Sequence, residues 1–132
     1  MTRSLCIAGL LTLAVPGLAD EEQAAEGAKL FAKHCQKCHG NEGQGTRKAP
    51  PVVGADALPL DPRPKQKVRK GQFHTAEDVL EFISKNMPAK KGGSLTAEEY
   101  EAILAFDLKA NGVDVSQAKI DPNTAANITL HK

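Results

Sequence analysis

The sequence predicts an all-α domain, and three observations carry that prediction. Thr75–Asn86 and Thr96–Asn111 each open on a helix-start signal and continue with apolar residues at helical spacing. Glu21–His34 repeats Ala24, Ala28, Phe31 and then Cys35 at the same period, with acidic residues in its first turn, where they favour the helix dipole. No stretch alternates apolar and polar residues as a half-buried strand does, and no internal repeat is present. The 132 residues, 41% hydrophobic and 25% charged, suit one soluble domain. Seventeen Lys and Arg against sixteen Asp and Glu give no basic excess, which argues against nucleic acid as a partner. Aromatic residues make up only 4% and Trp is absent, so the side chains alone make a thin core. A non-protein group is expected to fill part of it.

Taken in order, residues 1–19 have the layout of a signal peptide: Arg3, the apolar run Leu5–Val15, then Pro16-Gly17-Leu18-Ala19. That run is shorter than the roughly 20 residues a membrane-spanning helix needs. The expectation is cleavage after Ala19, giving an exported soluble chain, periplasmic and without a stable membrane anchor. Residues 20–112 form the predicted domain and 113–132 a C-terminal extension. Gly27, inside the first helix, costs about 1 kcal/mol relative to Ala. It reads either as tolerated or as a point where a second helix comes close. Gly40 to Pro64 is rich in Gly and Pro and supports no regular structure. Loops of that length are uncommon in small domains unless they wrap something. Thr75 and Asp78 then make a variant capping box, and Pro88 holds Met87 extended and ends that helix near Asn86. Thr96 and Glu99 make a full capping box, with Leu95 and Tyr100 as a hydrophobic staple and Asn111-Gly112 as the stop. The tail from Val113 gives no decisive pattern.

The chemistry lies in Cys35-Gln36-Lys37-Cys38-His39. The spacing C-x-x-C-H is the attachment signature for a covalent haem c. On a helical turn, residues i and i+3 share a face, so both thiols reach the vinyl groups along one side of a porphyrin. His39 then lies under the ring as the proximal iron ligand. A thioredoxin-like pair requires a βαβ context, which is lacking. A zinc site requires a second ligand pair, which His34, His74 and His131 do not supply.

The second axial position has four candidates: Met87, His34, His74 and His131. A lone Met usually fills a gap in a core. Met87 instead closes an apolar helical stretch and projects from a loop stiffened by Pro88. His34 reads as a surface residue beside the attachment turn, while His74 and His131 read as solvated. His/Met ligation is the usual pair in carriers of this kind, so Met87 is the expected ligand.

With these residues in view, residues 24–111 resemble a class I cytochrome c. The resemblance rests on Gly27, Phe31, the Cys35–His39 motif, Pro50-Pro51-Val52-Val53-Gly54, Asn86-Met87-Pro88 and Ile103–Phe106. It implies three to five helices wrapped around one haem, with Gly27 and Phe31 packed across the last helix at Phe106. It also implies that the Pro50 carbonyl accepts a hydrogen bond from the far nitrogen of His39, and that Val52 stands where the family usually has Leu against the haem. With no Trp, the propionate contact that a Trp makes in some relatives must come from elsewhere.

Iron held by His39 and Met87 has no open position for a substrate, and the thioether favours Fe(II). The expected function is therefore one-electron transfer between a respiratory donor or dehydrogenase and a terminal acceptor, by a monomer that is not an enzyme. Two alternatives stand beside it. One is a haem-based peroxidase or gas sensor, if Met87 does not ligate. The other is an electron-transfer subunit of a dehydrogenase complex that docks through the tail. Charge is segregated: residues 63–91 hold eight Lys and Arg against three Asp and Glu. This basic block flanks Met87 and predicts redox partners with an acidic docking face.

Overall fold

The computed structural model describes residues 18–131 and contains five helices. They are α1 (Leu18–His34), α2 (Gln36–His39), α3 (Ala76–Asn86), α4 (Ala97–Ala110) and α5 (Pro122–Ala126). The described residues contain no strand, only an isolated antiparallel bridge between Thr75 and Thr129. The predicted leader falls almost wholly outside the described residues.

α1 and α4 cross at Gly27. A Cβ there would lie 1.8 Å from the Ala102 carbonyl oxygen, so only a residue without one lets the backbones meet. One turn further on, Phe31 and Phe106 pack with ring centroids 5.2 Å apart at 45°. Close approach is therefore what this glycine is for. The buried face of α4 supplies Ile103, Leu104, Ala105 and Leu108, of which Leu104 and Leu108 are fully enclosed. Each buried leucine contributes about 1.5–3 kcal/mol relative to exposure.

The start of α3 is fixed as its sequence predicts. The Asp78 carboxylate accepts from the backbone N–H groups of Thr75 (2.8 Å) and His74 (2.9 Å), which holds its pKa below the ordinary value. In α4 the exchange runs both ways: Glu99 N–H donates to the Thr96 hydroxyl (3.2 Å) and Thr96 N–H to the Glu99 carboxylate (2.9 Å). Caps of this kind contribute about 1 kcal/mol each.

The tail is part of the core. Ile120 and Ala125 are fully buried in the cluster that holds Val79, Leu104 and Leu108. Gln23 of α1 donates its amide to the Ile120 carbonyl and accepts from the Ile120 N–H, both at 2.8 Å. Asp121 caps α5, with Pro122 in its first turn. Ala76 N–H then donates to Ile128 O (2.9 Å) and Leu130 N–H to His74 O (2.8 Å), closing the tail against the start of α3.

Candidate functional site

α1 breaks at Cys35 and the chain resumes as the single turn α2, held by Cys38 and His39 N–H groups donating to the Cys35 carbonyl (3.1 and 3.0 Å). Gly40, at φ 89°, lets the chain leave the turn in a conformation that costs other residues strain. The loop beyond it is ordered by its own backbone. Gly45 N–H donates to His39 O (2.7 Å), and the Val52 and Val53 N–H groups both donate to Gly43 O (2.8 and 3.0 Å). At the end of α4, the Asn111 side chain donates to Val52 O (2.8 Å) and accepts from Gly54 N–H (3.0 Å). The two ends of the fold are tied across this loop.

The loop, α2, α3 and α4 enclose a cavity of about 410 Å³, within the range of small-ligand and cofactor sites. Cys35, Cys38, His39, Pro50, Val52 and Met87 all line it, so every predicted site residue meets there. His39 Nδ1 lies 2.8 Å from the Pro50 carbonyl, the partner the resemblance implied. With the proton on Nδ1, the other ring nitrogen is left with its lone pair, as a metal ligand needs. Met87 is extended (φ −116°, ψ 150°) ahead of Pro88. Its carbonyl accepts from the Tyr100 hydroxyl at 2.6 Å, and that hydroxyl in turn accepts from Gly93 N–H (3.1 Å). The Met87 backbone is thus pinned to α4.

The remaining histidines separate cleanly. His74 is exposed, with Nε2 3.1 Å from Gln72, as expected of a solvated residue. His131 Nε2 lies 2.7 Å from Leu58 O and fastens the tail, which solvation did not foresee. His34 is not simply a surface residue either. It lines the cavity, and its Nε2 is buried without a partner.

The thiols are chemically distinct from a disulfide-exchange pair. Both are free, and burial, followed by the nearby Asp107 and Cys38, pushes the Cys35 thiol up to about 12. A redox-active C-x-x-C depresses its thiol instead. Among the described residues no three His, Cys, Asp or Glu side chains converge on a bare metal ion. The donor set suits a group with its own bulk, one that takes two thioethers on one wall and fills an apolar interior. Haem c fits these residues.

Two polar side chains in the wall were not legible in the sequence. Arg69 is buried, with its guanidinium 3.9 Å from the Phe73 ring centroid. It donates to Pro59 O (2.8 Å) and to Asp61 O. Asp107 is buried on α4 and raised well above the ordinary carboxyl pKa by desolvation. Its signal was an acid interrupting the apolar run Ile103–Leu108.

Residues 22–106 match the family described as cytochrome c oxidase, cbb3-type, subunit III. The chain is 29% identical over 87 residues to a thiosulfate dehydrogenase of Stutzerimonas stutzeri (strain A1501), an alignment covering 62% of this chain and 25% of that protein. Among solved structures it resembles the sulfane dehydrogenase SoxCD of Paracoccus pantotrophus, with TM-score 0.62 and 24% identity, over 92% of this chain and 61% of that one. It also resembles thiosulfate dehydrogenase TsdBA of Marichromatium purpuratum, with TM-score 0.48 and 28% identity, over 64% and 17%. The chain therefore spans a quarter of the first relative's length and three fifths of the SoxCD chain's. The shared part is the helical domain around the attachment motif, and with it the chain belongs to the cytochrome c oxidase, cbb3-type, subunit III family as a bacterial monohaem c-type cytochrome.

Proposed function

We propose that this cytochrome is an exported one-electron carrier serving a dehydrogenase, and that the dehydrogenase acts on an inorganic sulfur compound. The observation that carries the redox role is that His39 and Met87 line one cavity, each held by a hydrogen bond: His39 through Pro50, Met87 through Tyr100. The sulfur substrate is supported by the likeness to a thiosulfate dehydrogenase, and the role beside a dehydrogenase by the same likeness. The chain's own catalysis of that oxidation is not part of the reading.

Haem c supplies one reversible electron between Fe(III) and Fe(II). Cys35 and Cys38 would hold it covalently, and His39 and Met87 would ligate its iron, leaving no position for substrate. Pro50 fixes the His39 ring and raises its basicity. Val52, Phe82 and Ile83 exclude water from the interior. Arg69 lines the same cavity, held by the Pro59 and Asp61 carbonyls, and would supply positive charge there for the group's carboxylates.

The test is the visible spectrum of the purified, reduced protein with and without CO. Haem that survives denaturation on the chain and a spectrum that CO leaves unchanged are the expected results. A CO-shifted spectrum at neutral pH would overturn the carrier reading in favour of a ligand-binding or peroxidatic haem.

Docking follows from charge. Lys65, Lys67, Lys70, Lys90 and Lys91 are exposed, with Val68 (56% exposed) among them on the cavity's rim. Of the basic block, Arg69 is turned inward and Lys85 pairs with Glu81, so the steering face is smaller than the sequence count. An acidic partner is attracted to it, with screening over a Debye length of about 8 Å at physiological salt. The electron-transfer rate with the native dehydrogenase should fall steeply as salt rises. Lys90→Glu with Lys91→Glu should lower the low-salt rate roughly tenfold or more. A flat salt dependence would make these lysines ordinary surface.

A further inference from the structure

Among the described residues three polar or charged ones are buried: Gln23, Arg69 and Asp107. Gln23 is satisfied by the Ile120 backbone and Arg69 by two carbonyls. Asp107 is not. It is 4% exposed, its Oδ1 has no hydrogen-bond partner, and it belongs to none of the ion pairs among the described residues. It lies in the cavity wall, between Phe106, which packs on α1, and the fully enclosed Leu108. An apolar side chain there would leave no polar atom unpaired. An unpartnered carboxyl there costs free energy, and more when charged than when neutral.

We propose that Asp107 is a redox-linked proton site: its carboxylate takes one proton from solvent when the cytochrome accepts an electron, and releases it when the electron leaves. The proposal rests on the haem attachment and axial pair proposed above. The donor supplies the electron and water the proton. One O–H bond forms at Asp107 on reduction and the same bond breaks on oxidation. Electron transfer by the protein is then accompanied by partial proton transfer.

The charge argument sets the sign. The oxidised centre carries one more positive charge than the reduced centre, so it favours the Asp107 carboxylate. Within protein, a unit charge about 10 Å away changes a proton equilibrium roughly tenfold. Of the titratable and charged side chains lining the same cavity, α1 contributes His34, the junction Cys35, and α2 Lys37, Cys38 and His39, with Cys35 close enough to feel the Asp107 charge. The loop contributes Lys48, Arg63 and Arg69 to the cavity, α4 adds Tyr100, and the α3 residues lining it are apolar. Arg69 and Arg63 bond the backbone carbonyls of Pro59, Asp61 and Asp56, and neither forms an ion pair with Asp107. Cys35 is uncharged once it is a thioether. Desolvation, the sole cause raising the Asp107 pKa, places the coupled window above the ordinary carboxylate range. His34, whose Nε2 is also buried without a partner, is the other orphaned polar side chain on this cavity and serves as the control.

The experiment is a spectroscopic redox titration of the holoprotein from about pH 5 to 9, with dye-monitored proton uptake on reduction in weak buffer. In wild type the midpoint potential should fall as pH rises through one window, with uptake reaching about half a proton per haem at its centre, as a tenfold shift in the proton equilibrium allows. Asp107→Asn should flatten that window and abolish the uptake, while His34→Gln should keep both. A flat wild-type profile, a slope retained in Asp107→Asn, or a slope lost in His34→Gln would each overturn the proposal. Reduced-minus-oxidised infrared spectra of wild type add a measurement that needs no variant. A protonated-carboxyl C=O band should grow on reduction, and its absence would count equally against Asp107. The CO test is run on every protein in parallel. CO binding by wild type indicts the axial pair, whereas CO inertness with a flat profile indicts Asp107 alone.

Discussion

Met87→Ala should yield a folded, haem-bearing protein whose reduced form binds CO and whose midpoint potential drops. The fold survives because the loop does not depend on the Met87 side chain. Tyr100 holds the Met87 carbonyl at 2.6 Å and receives the Gly93 N–H at 3.1 Å, and both contacts are made to backbone. Truncating the thioether therefore removes the proposed iron ligand without releasing the segment that carries it. The potential falls because a thioether favours Fe(II), and axial ligands span roughly 0.8 V in haem proteins. Met87→His should lower the potential too, while restoring six-coordination and inertness to CO. Tyr100→Phe makes the complementary change, keeping the thioether and loosening the loop. It should leave the wild type's ligand set in place at equilibrium and lower stability by about 1–3 kcal/mol, the usual worth of the two hydrogen bonds that the hydroxyl makes. If Met87→Ala binds no CO and keeps its potential, another side chain holds the sixth position. His34, already on the cavity wall, would be the first to test.

Legibility in this sequence tracks the range of the signal. The caps of α3 and α4 were readable because a cap is written in four consecutive residues. The attachment motif was readable because two thiols and an imidazole are fixed by one turn. The Gly27 question could not be resolved by pattern, since a glycine in a helix looks the same whether it faces water or another backbone. Only the resemblance paired it with Phe106, and the geometry now supplies the reason. Arg69 counted as one more surface charge because the sequence does not say that its loop folds over Phe73. Asp107 is the opposite case: its place on the buried face of α4 followed from the spacing, but nothing local says that this face borders a cavity. α5 was missed because five residues are too few to show a period, although Asp121-Pro122 followed by Thr124 is a start signal in its own right. The ordering of residues 40–73 came from contacts between distant segments, such as Asn111 with Val52 and Phe73 N–H with Leu60 O at 3.0 Å.

Gly27→Ala should destabilise the holoprotein, and the sign of that change is what gives the test its force. Intrinsic helix propensity favours Ala over Gly by about 1 kcal/mol, so at a solvent-facing site this substitution raises the melting temperature. At Gly27 the new Cβ would lie 1.8 Å from the Ala102 oxygen and 2.5 Å from its carbon. Those are backbone atoms of α4 and cannot rotate aside. Relief requires α1 to move away from α4, which opens the Phe31–Phe106 contact and shifts Cys35, one turn beyond Phe31, relative to the cavity wall. Overpacking of this kind typically costs 1–3 kcal/mol, occasionally more. Each kcal/mol lowers the melting temperature of a domain this size by roughly 4–8 °C. Thermal melts followed by circular dichroism and by haem absorbance decide the matter. Lys29→Ala, on the same helix but with its side chain 76% exposed, serves as the control and should melt within a degree or two of wild type, as surface substitutions do. The displacement of Cys35 should also lower the yield of covalently attached haem, because both thiols must meet the porphyrin from one wall. A Gly27→Ala protein that melts higher than wild type would mean that the helices do not cross at this residue, and Phe31 would lose its assigned partner with it.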